Sequence, residues 1–413
     1  MTTLGPVRGT YDIFPPESHK FRHIFNSFFS TAQLFGFEEI QTPILEFSQV
    51  FKRAVGDTSD IVSKEMYSLL DRNGNELCLR PEGTAGIVRA VLSHKLTNLT
   101  PLRYSYAGPM FRYERPQKGR QRQFWQIGVE HLGDSSPLAD AESIALAAET
   151  LKTLGIINTT LEINTLGDKE SRARYRDVLV NFLQSHKNRL SEDSLIRLEK
   201  NPLRILDSKS PADQAVLENA PHLSDFLTSE SKAFFEDVLS ALQNLGISYE
   251  INPYLVRGLD YYSHTAFEFR TTELGAKSTV LAGGRYDDLS SCLGGPALPG
   301  IGWAAGVERM ILLMTSNPTP PPPFMVIPIG SECVPSALKL VHLLRQNHYP
   351  AELSYKSQIS AGLKRANKLQ SPLAFLIGGD EVAHNMVTLR NLITGDQQKV
   401  SQDTVLKYLE SHQ

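Results

Sequence analysis

Four consecutive prolines, Pro320–Pro323 in "SNPTPPPPFMV" (316–326), constrain this chain more than any other feature. Proline supplies no backbone N–H and locks φ, so neither a helix nor a central strand can run through them. The 413 residues must therefore be built on both sides of a stiff connector. A length above 400 also exceeds what one hydrophobic core usually serves. The sequence predicts a first unit over 1–318, a linker over 319–324 and a second unit over 325–413.

In the second unit "FMVIPIG", "AELSY" and "LAFLIGG" read as strands, and 334–346 and 359–369 as helices. That alternation predicts a small α/β domain with a mostly parallel sheet. In the first unit, "MYSLLDRNGNELCLR" predicts a hairpin about Asn73-Gly74. "LRYSYAGPMFRY" and "QFWQIGVEHLG" predict two more antiparallel strands, joined by the polar loop "ERPQKGRQR". Residues 169–247 differ in texture. Tyr175, Val178, Leu179 and Phe182, and later Phe234, Phe235, Val238, Leu239 and Leu242, recur at helical spacing. Pro202, Pro211 and Pro221 punctuate the stretch between them, which predicts a helical insertion.

Charge and cysteine usage exclude some function classes. The net charge of −3 excludes a globally basic nucleic-acid coat, so any polyanion contact must be local. Residues 320–413 carry +2 and the remainder −5, too mild an asymmetry to separate an RNA contact from a solvated helix face in "GLKRANK". Three scattered cysteines, Cys78, Cys292 and Cys333, make neither a disulfide framework nor a CxxC metal site. With no signal peptide pattern and no apolar run of membrane-spanning length, the expectation is a cytoplasmic protein without membrane contact.

Several segments carry residues that a core does not need. Five basic residues (Arg112, Arg115, Lys118, Arg120, Arg122) and one acid (Glu114) lie between Arg112 and Arg122. Such a loop is either a solvated hairpin tip or a phosphate grip, since guanidinium forks bind phosphate oxygens bidentately. The following strand favours the second reading. Alternation puts Trp125, Ile127 and Val129 on one face, suited to a core. Phe124, Gln126, Gly128 and Glu130 share the other, where an aromatic, an amide, a gap and a carboxylate suit a pocket floor.

In "LRPEGTAGIVRAVL", Glu82-Gly83-Thr84 stands at a helix N-terminus. Glu82 and Thr84 either cap free N–H groups there or hold an amine. In "VLAGGRYDDL" the paired Gly283-Gly284 allow close backbone approach. The small residues of "GIGWAAGVERMILLM" are expected to let an apolar helix pack tightly on a sheet. Arg309 in that context either pairs with a carboxylate or binds an anion, because an unpaired buried charge is very costly. "LVRGLDYYSHTAFEF" places Arg257, Asp260, Tyr261 and Tyr262 at the mouth of a strand.

Taken together these segments resemble the histidyl-tRNA synthetases, class II aminoacyl-tRNA synthetases, in their bacterial form. "FRYER…GRQRQF" resembles the family's motif 2, "GVERM" its motif 3 and "IQTPILEF" its motif 1. "LVRGLDYY" and "AGGRYDDL" resemble its histidine-specific signatures, and "RPEGTAG" and "QIGVE" match as well. The resemblance spans nearly the whole chain. It implies an α+β fold: an antiparallel six-stranded catalytic sheet flanked by helices, with a helical insertion and a C-terminal α/β anticodon-binding domain. It also implies a homodimer with motif 1 at the interface.

The activity implied has two steps. L-histidine attacks ATP to give histidyl-adenylate and pyrophosphate, and the histidyl group then passes to the 3′ end of tRNA(His). Residue by residue, Glu82, Gly83, Thr84 and Gln126 would surround the substrate's amino group. Glu130 and Tyr262 would read its imidazole, with Tyr261 lining the pocket. Arg112 and Arg257 would contact both histidine and the α-phosphate and act as the catalytic pair. Phe124 and Glu114 would hold adenine, and Arg120 and Arg309 the outer phosphates. Arg115 and Gln117 would meet the tRNA acceptor end. Mg2+ is expected to arrive on the ATP phosphates, since no protein-only metal cage is visible. A catalytically silent relative that serves as a regulatory subunit in histidine biosynthesis is the alternative. It is disfavoured by the presence of Arg112, Arg257, Arg309 and the final domain.

Overall fold

The computed structural model describes residues 4–56, 59–256, 261–275 and 278–411. The chain divides into two compact units, Met1–Pro318 and Thr319–Gln413. The first begins with α1 (Glu17–Leu34), β1 (Glu38–Glu39), β2 (Leu45–Phe47), α2 (Ser48–Val55), β3 (Ser68–Leu70) and β4 (Glu76–Leu79). Next come α3 (Thr84–Ser93), β5 (Leu102–Phe111), β6 (Gln123–Leu132), α4 (Pro137–Thr153) and β7 (Thr160–Thr165). Three helices follow, α5 (Lys169–Ser185), α6 (Glu192–Lys200) and α7 (Pro211–Leu217), and then α8 (Ser229–Asn244). The unit closes with β8 (Glu250–Ile251), β9 (Ser263–Thr271), β10 (Ser278–Arg285), α9 (Leu289–Cys292), β11 (Gly300–Gly306) and α10 (Val307–Leu313).

Its main sheet has the order β1-β5-β6-β11-β10-β9-β7-β8. The six strands from β5 to β7 are antiparallel throughout. The two-residue strands β1 and β8 extend this six-stranded sheet at its edges, each in parallel. A small sheet, β2-β4-β3, stands beside it, and β3 with β4 forms the hairpin read from Asn73-Gly74.

The period-2 alternation of β6 decides what each face of the main sheet does. Ile127 and Val129 are fully buried in a core built with α1, α4, α8 and α10, through Phe28, Ile144, Val238 and Met310. Trp125 packs against that core and its ring meets Phe25 at 5.5 Å. The opposite face packs on α2 and α3 at one end and is open at the other. Within the predicted insertion, α5 to α7 bury a core of their own around Tyr175, Leu179, Ile205 and Leu217. Helix α8 packs instead on the main sheet through Val238 and Leu242.

The small residues of "GIGWAAG" precede the expected apolar helix and do not form its packing face. Gly300–Gly306 is strand β11, in the middle of the sheet, and the helix starts only at Val307. Seven residues without helix-breaking proline look ambiguous in isolation. Pairing on both sides, with β6 and β10, decides for strand.

The second unit comprises β12 (Phe324–Pro328), α11 (Val334–Gln346), β13 (Ala351–Leu353), α12 (Ile359–Lys368), β14 (Leu373–Ile377), α13 (Gly379–Ala383), β15 (Met386–Asn391), β16 (Gln397–Ser401) and α14 (Val405–Glu410). Strands β13, β12 and β14 are parallel, as read from the sequence. The hairpin β15–β16 adds two antiparallel strands that the sequence reading left out. Its turn is built on the Asn391 side chain, which accepts from the N–H groups of Ile393 and Thr394, and on Gly395 at φ 85°. Among the described residues no helix is long and apolar enough to cross a membrane.

Candidate active site

The open face of the main sheet floors a cleft of about 460 Å³. Register explains why a cleft can exist there. Gly128 lies opposite Tyr106 on one side and Ala304 on the other; Glu130 lies opposite Tyr104 and Gly302. Further across, Gly302 faces Gly284, and Ala304 faces Ala282. Side chains that stop at Cβ or earlier leave the space. A Cβ on Gly302 would stand 2.1 Å from Glu130 Oε2, and one on Gly284 2.8 Å from the Tyr262 ring. These glycines therefore set how closely Glu130 and Tyr262 lie against the floor.

One end of the cleft is acidic, aromatic and buried. Glu82 is 4% exposed, and its two carboxylate oxygens accept from the N–H groups of Thr84 (2.6 Å) and Ala85 (2.9 Å). It thus caps α3, while it also lines the cleft. The Thr84 hydroxyl donates to Glu130 Oε1 at 2.7 Å, and the Tyr286 hydroxyl donates to Glu130 Oε2. Glu130 is fully buried, and burial raises its pKa to about 8, against the pull of those two hydroxyls. Tyr261 and Tyr262 line the same end, their rings 4.8 Å apart, with Tyr286 edge-on to Tyr261 at 5.7 Å. Gln126 lines it too, with a buried Oε1 that has no hydrogen-bond partner.

The other end is cationic. Arg112 donates from Nε to the Pro81 carbonyl at 2.9 Å, tying β5 to the Glu82 turn. Its guanidinium carbon lies 5.3 Å from the centre of the Phe124 ring. Glu114 stands between Arg112 (3.9 Å) and Arg120 (3.6 Å). The loop closes on itself through two backbone bonds between Gln117 and Arg120, with Gly119 at φ 73°. That turn brings Gly119 over the Arg309 stem, 3.2 Å from a built Cβ. Among the described residues Arg309 meets no carboxylate within ion-pair distance; its guanidinium donates to the Thr279 carbonyl. Burial and then Arg120 pull its pKa down. Arg115 and Gln117 are exposed on the loop's outer side.

Of the residues singled out from the sequence, Glu82, Thr84, Arg112, Glu114, Arg120, Phe124, Gln126, Tyr261, Tyr262 and Arg309 all line this one cleft, with Glu130 against its floor. Gly83 lies beside Glu82 with no room for a side chain, because a Cβ would meet the Tyr106 ring at 2.5 Å. Arg257 and Asp260 lie outside the described residues. His264, a tempting base, is not in the cleft lining. Its ring packs at 4.9 Å on Phe234, and burial lowers its pKa. Sequence reasoning missed Tyr106 and Tyr286. The signal for Tyr106 was its register opposite Gly128, which only the pairing of β5 and β6 discloses. It also missed Arg204 of the insertion, which reaches the lining.

The profile of the family "Histidyl-tRNA synthetase" matches residues 9–310, and that of "Anticodon binding domain" matches 324–412. The chain is 50% identical over 411 residues to a histidine–tRNA ligase of Rhodospirillum rubrum, covering 99% of each protein. It is 47% identical over 401 residues to one of Gluconobacter oxydans, covering 97% of each. Among solved structures, apo histidyl-tRNA synthetase of S. aureus superposes with a TM-score of 0.83 at 34% identity, over 98% of this chain and 99% of that one.

Proposed function

The chain belongs to the histidyl-tRNA synthetase family, a histidine–tRNA ligase in activity, and from that premise we propose how its cleft divides the work. The observation that carries the proposal is the joining of two unlike ends in one cavity: a buried acidic and aromatic end, and an arginine-lined end. The acidic end takes L-histidine. Its amino group lies near Glu82, Thr84 and Gln126, and its imidazole meets Glu130 and Tyr262. A site built on such hydrogen bonds rejects amino acids that lack the matching groups. ATP takes the cationic end, with adenine on Phe124 beside Glu114 and phosphates toward Arg112, Arg120 and Arg309.

The first step needs positioning and positive charge more than covalent help. The histidine carboxylate is already a nucleophile, so no general base is required. Arg112, bridging the two ends, is placed to stabilise charge that develops at the α-phosphate, with Arg257 assigned to the same task. Mg2+ neutralises phosphate charge when bound. Among the described residues no three His, Cys, Asp or Glu side chains are grouped to hold an ion. The donor set therefore fits an ion carried by ATP, with Glu65 and Glu114 among the carboxylates that line the cleft. Burial and then Glu114 raise the Glu65 pKa, so a cation would relieve that crowding.

For the second step, Arg115 and Gln117 present polar groups outward for the acceptor end of tRNA(His), and the C-terminal unit takes the anticodon. A homodimer is supported by the small sheet, which leaves Leu45, Phe47 and Leu70 exposed at 49%, 57% and 72%. These belong to the motif 1 region and its neighbouring hairpin. A cytoplasmic location follows from the same role.

The test is histidine-dependent ATP–pyrophosphate exchange by the purified protein, followed by charging of tRNA(His). Exchange that is absent, or that does not depend on histidine, defeats the proposal.

A further inference from the structure

Tyr106 has no role in the site as set out above, yet it occupies the centre of the amino-acid end. It is 5% exposed and lines the cleft. Its ring is sandwiched between two backbones: a Cβ on Gly83 would come within 2.5 Å of the ring, and a Cβ on Gly128 within 2.5 Å of its hydroxyl oxygen. Two glycines thus hold the ring flat on the floor. Its hydroxyl is buried and has no hydrogen-bond partner. A buried polar group left unpaired is destabilising, so a tyrosine so placed, where phenylalanine would fit, needs an explanation.

The neighbours indicate what the hydroxyl awaits. Gln126 and Glu130 flank Gly128 on the same face of β6, so the hydroxyl lies level with the gap between them. Gln126 Oε1 is likewise buried and unpartnered. Each carboxylate oxygen of Glu82 and Glu130 already accepts one bond from the protein. Tyr106 Oη and Gln126 Oε1 are therefore two oxygens of this end left wholly unsatisfied. Burial first, and then the carboxyl groups of Glu130 and Glu82, oppose ionisation of Tyr106, so the spot is hostile to an anion and suited to a hydrogen-bond donor.

We propose that Tyr106 is a further substrate-binding residue, whose hydroxyl oxygen accepts an N–H of the amino acid's α-ammonium alongside Gln126 Oε1. This rests on the reading of the cleft's acidic end as the histidine subsite. The glycines at 83 and 128 are then part of the specificity device, since they set the depth of the ring.

The experiment is Tyr106→Phe, which removes one oxygen and keeps the ring. Binding of L-histidine and of histidinol is measured by titration calorimetry. Binding of 3-(imidazol-4-yl)propionate, which keeps imidazole and carboxylate but lacks the ammonium, is measured by competition. The expected result is about a tenfold to hundredfold weaker Kd for L-histidine and histidinol, with the deaminated acid changed by less than about twofold. The histidine KM should rise far more than kcat at saturating histidine falls, with ATP affinity at the parent value and the Tm of the empty protein at or above it. Unchanged histidine affinity overturns the proposal, as does an equal loss on the deaminated acid, which would assign the hydroxyl to the imidazole. A parent protein that binds no histidine defeats instead the reading on which this rests.

Discussion

Two arginines in the first unit, Arg285 and Arg309, show how one residue type is put to opposite uses. Arg285 is fully buried, and the protein satisfies it. It donates to Asp140 (3.0 Å), to Asp287 (3.0 Å) and to the carbonyls of Asp134 (3.0 Å) and Ser136 (3.2 Å). Asp140 raises its pKa in spite of burial. Among the described residues Arg309 has one hydrogen-bond acceptor, the Thr279 carbonyl; Arg120 opposes its charge, and Glu114 and Glu268 favour it only from beyond ion-pair distance. A guanidinium has five donors. Where the protein supplies the acceptors, the group holds structure together; where it withholds them beside a cleft, the acceptors are to come from a ligand. The pairing decides between these uses, and burial alone does not.

The comparison breaks most visibly at Arg285. Arg285→Ala leaves Asp140 buried without its partner, and removing one member of such a pair costs about 3–5 kcal/mol. Chemical denaturation should show a loss of that order, with the residual folded protein retaining most of its exchange activity per molecule. A variant as stable as the parent would mean that Asp140 simply takes up a proton, and that the pairing holds nothing together.

Arg309→Ala should behave in the reverse way. It removes a charge that the protein itself barely satisfies, so stability should change little. The exchange rate should fall by about 10²–10³, the effect of deleting one preorganised donor at a developing charge. Raised ATP KM with unchanged kcat would sharpen the assignment: the arginine would then bind ground and transition states equally. A Tm drop comparable to that of Arg285→Ala would erase the distinction between the two.

How far the sequence disclosed this depends on what kind of fact was asked of it. Alternation along β6 is local, so Trp125, Ile127 and Val129 could be assigned to the core and Phe124, Gln126 and Glu130 to the cleft before any pairing was known. Arg309 stood out because its neighbours are apolar. Cross-strand facts are not local. That Gly302 sits against Glu130, or that Tyr106 lies over Gly128, follows from register, and nothing near either residue announces it. The place of "GIGWAAG" in the sheet has the same origin, since small residues suit helix packing and a cleft floor alike. Glu82 was open between cap and ligand, and the structure shows why the choice was false: it caps α3 while it faces the cavity. The family resemblance carried what periodicity did not, namely the proposed matching of cleft residues to substrates.

The acidic partners of this comparison give the smallest effect and the finest test. Asp140 is held by an arginine, whereas among the described residues Glu130 is held by the hydroxyls of Thr84 and Tyr286. Burial raises the Glu130 pKa from 4.5 to about 8, so the empty enzyme keeps that carboxyl protonated at neutral pH. Between those two values the folded state binds a proton that the unfolded state does not. Stability from this group is thus fully present below pH 4.5 and is lost as pH rises through about 8. Glu308, raised to about 7 mainly by burial, adds a slope of the same sign. The Tm of the ligand-free parent should therefore decline from pH 6 to pH 8.5, and Glu130→Gln, which cannot ionise, should flatten that decline by about 2–4 °C. An unaltered slope would mean that Glu130 is ionised throughout, and that Thr84 and Tyr286 alone satisfy a buried charge. Glu130 would then have to be grouped with the charged pairs of the core.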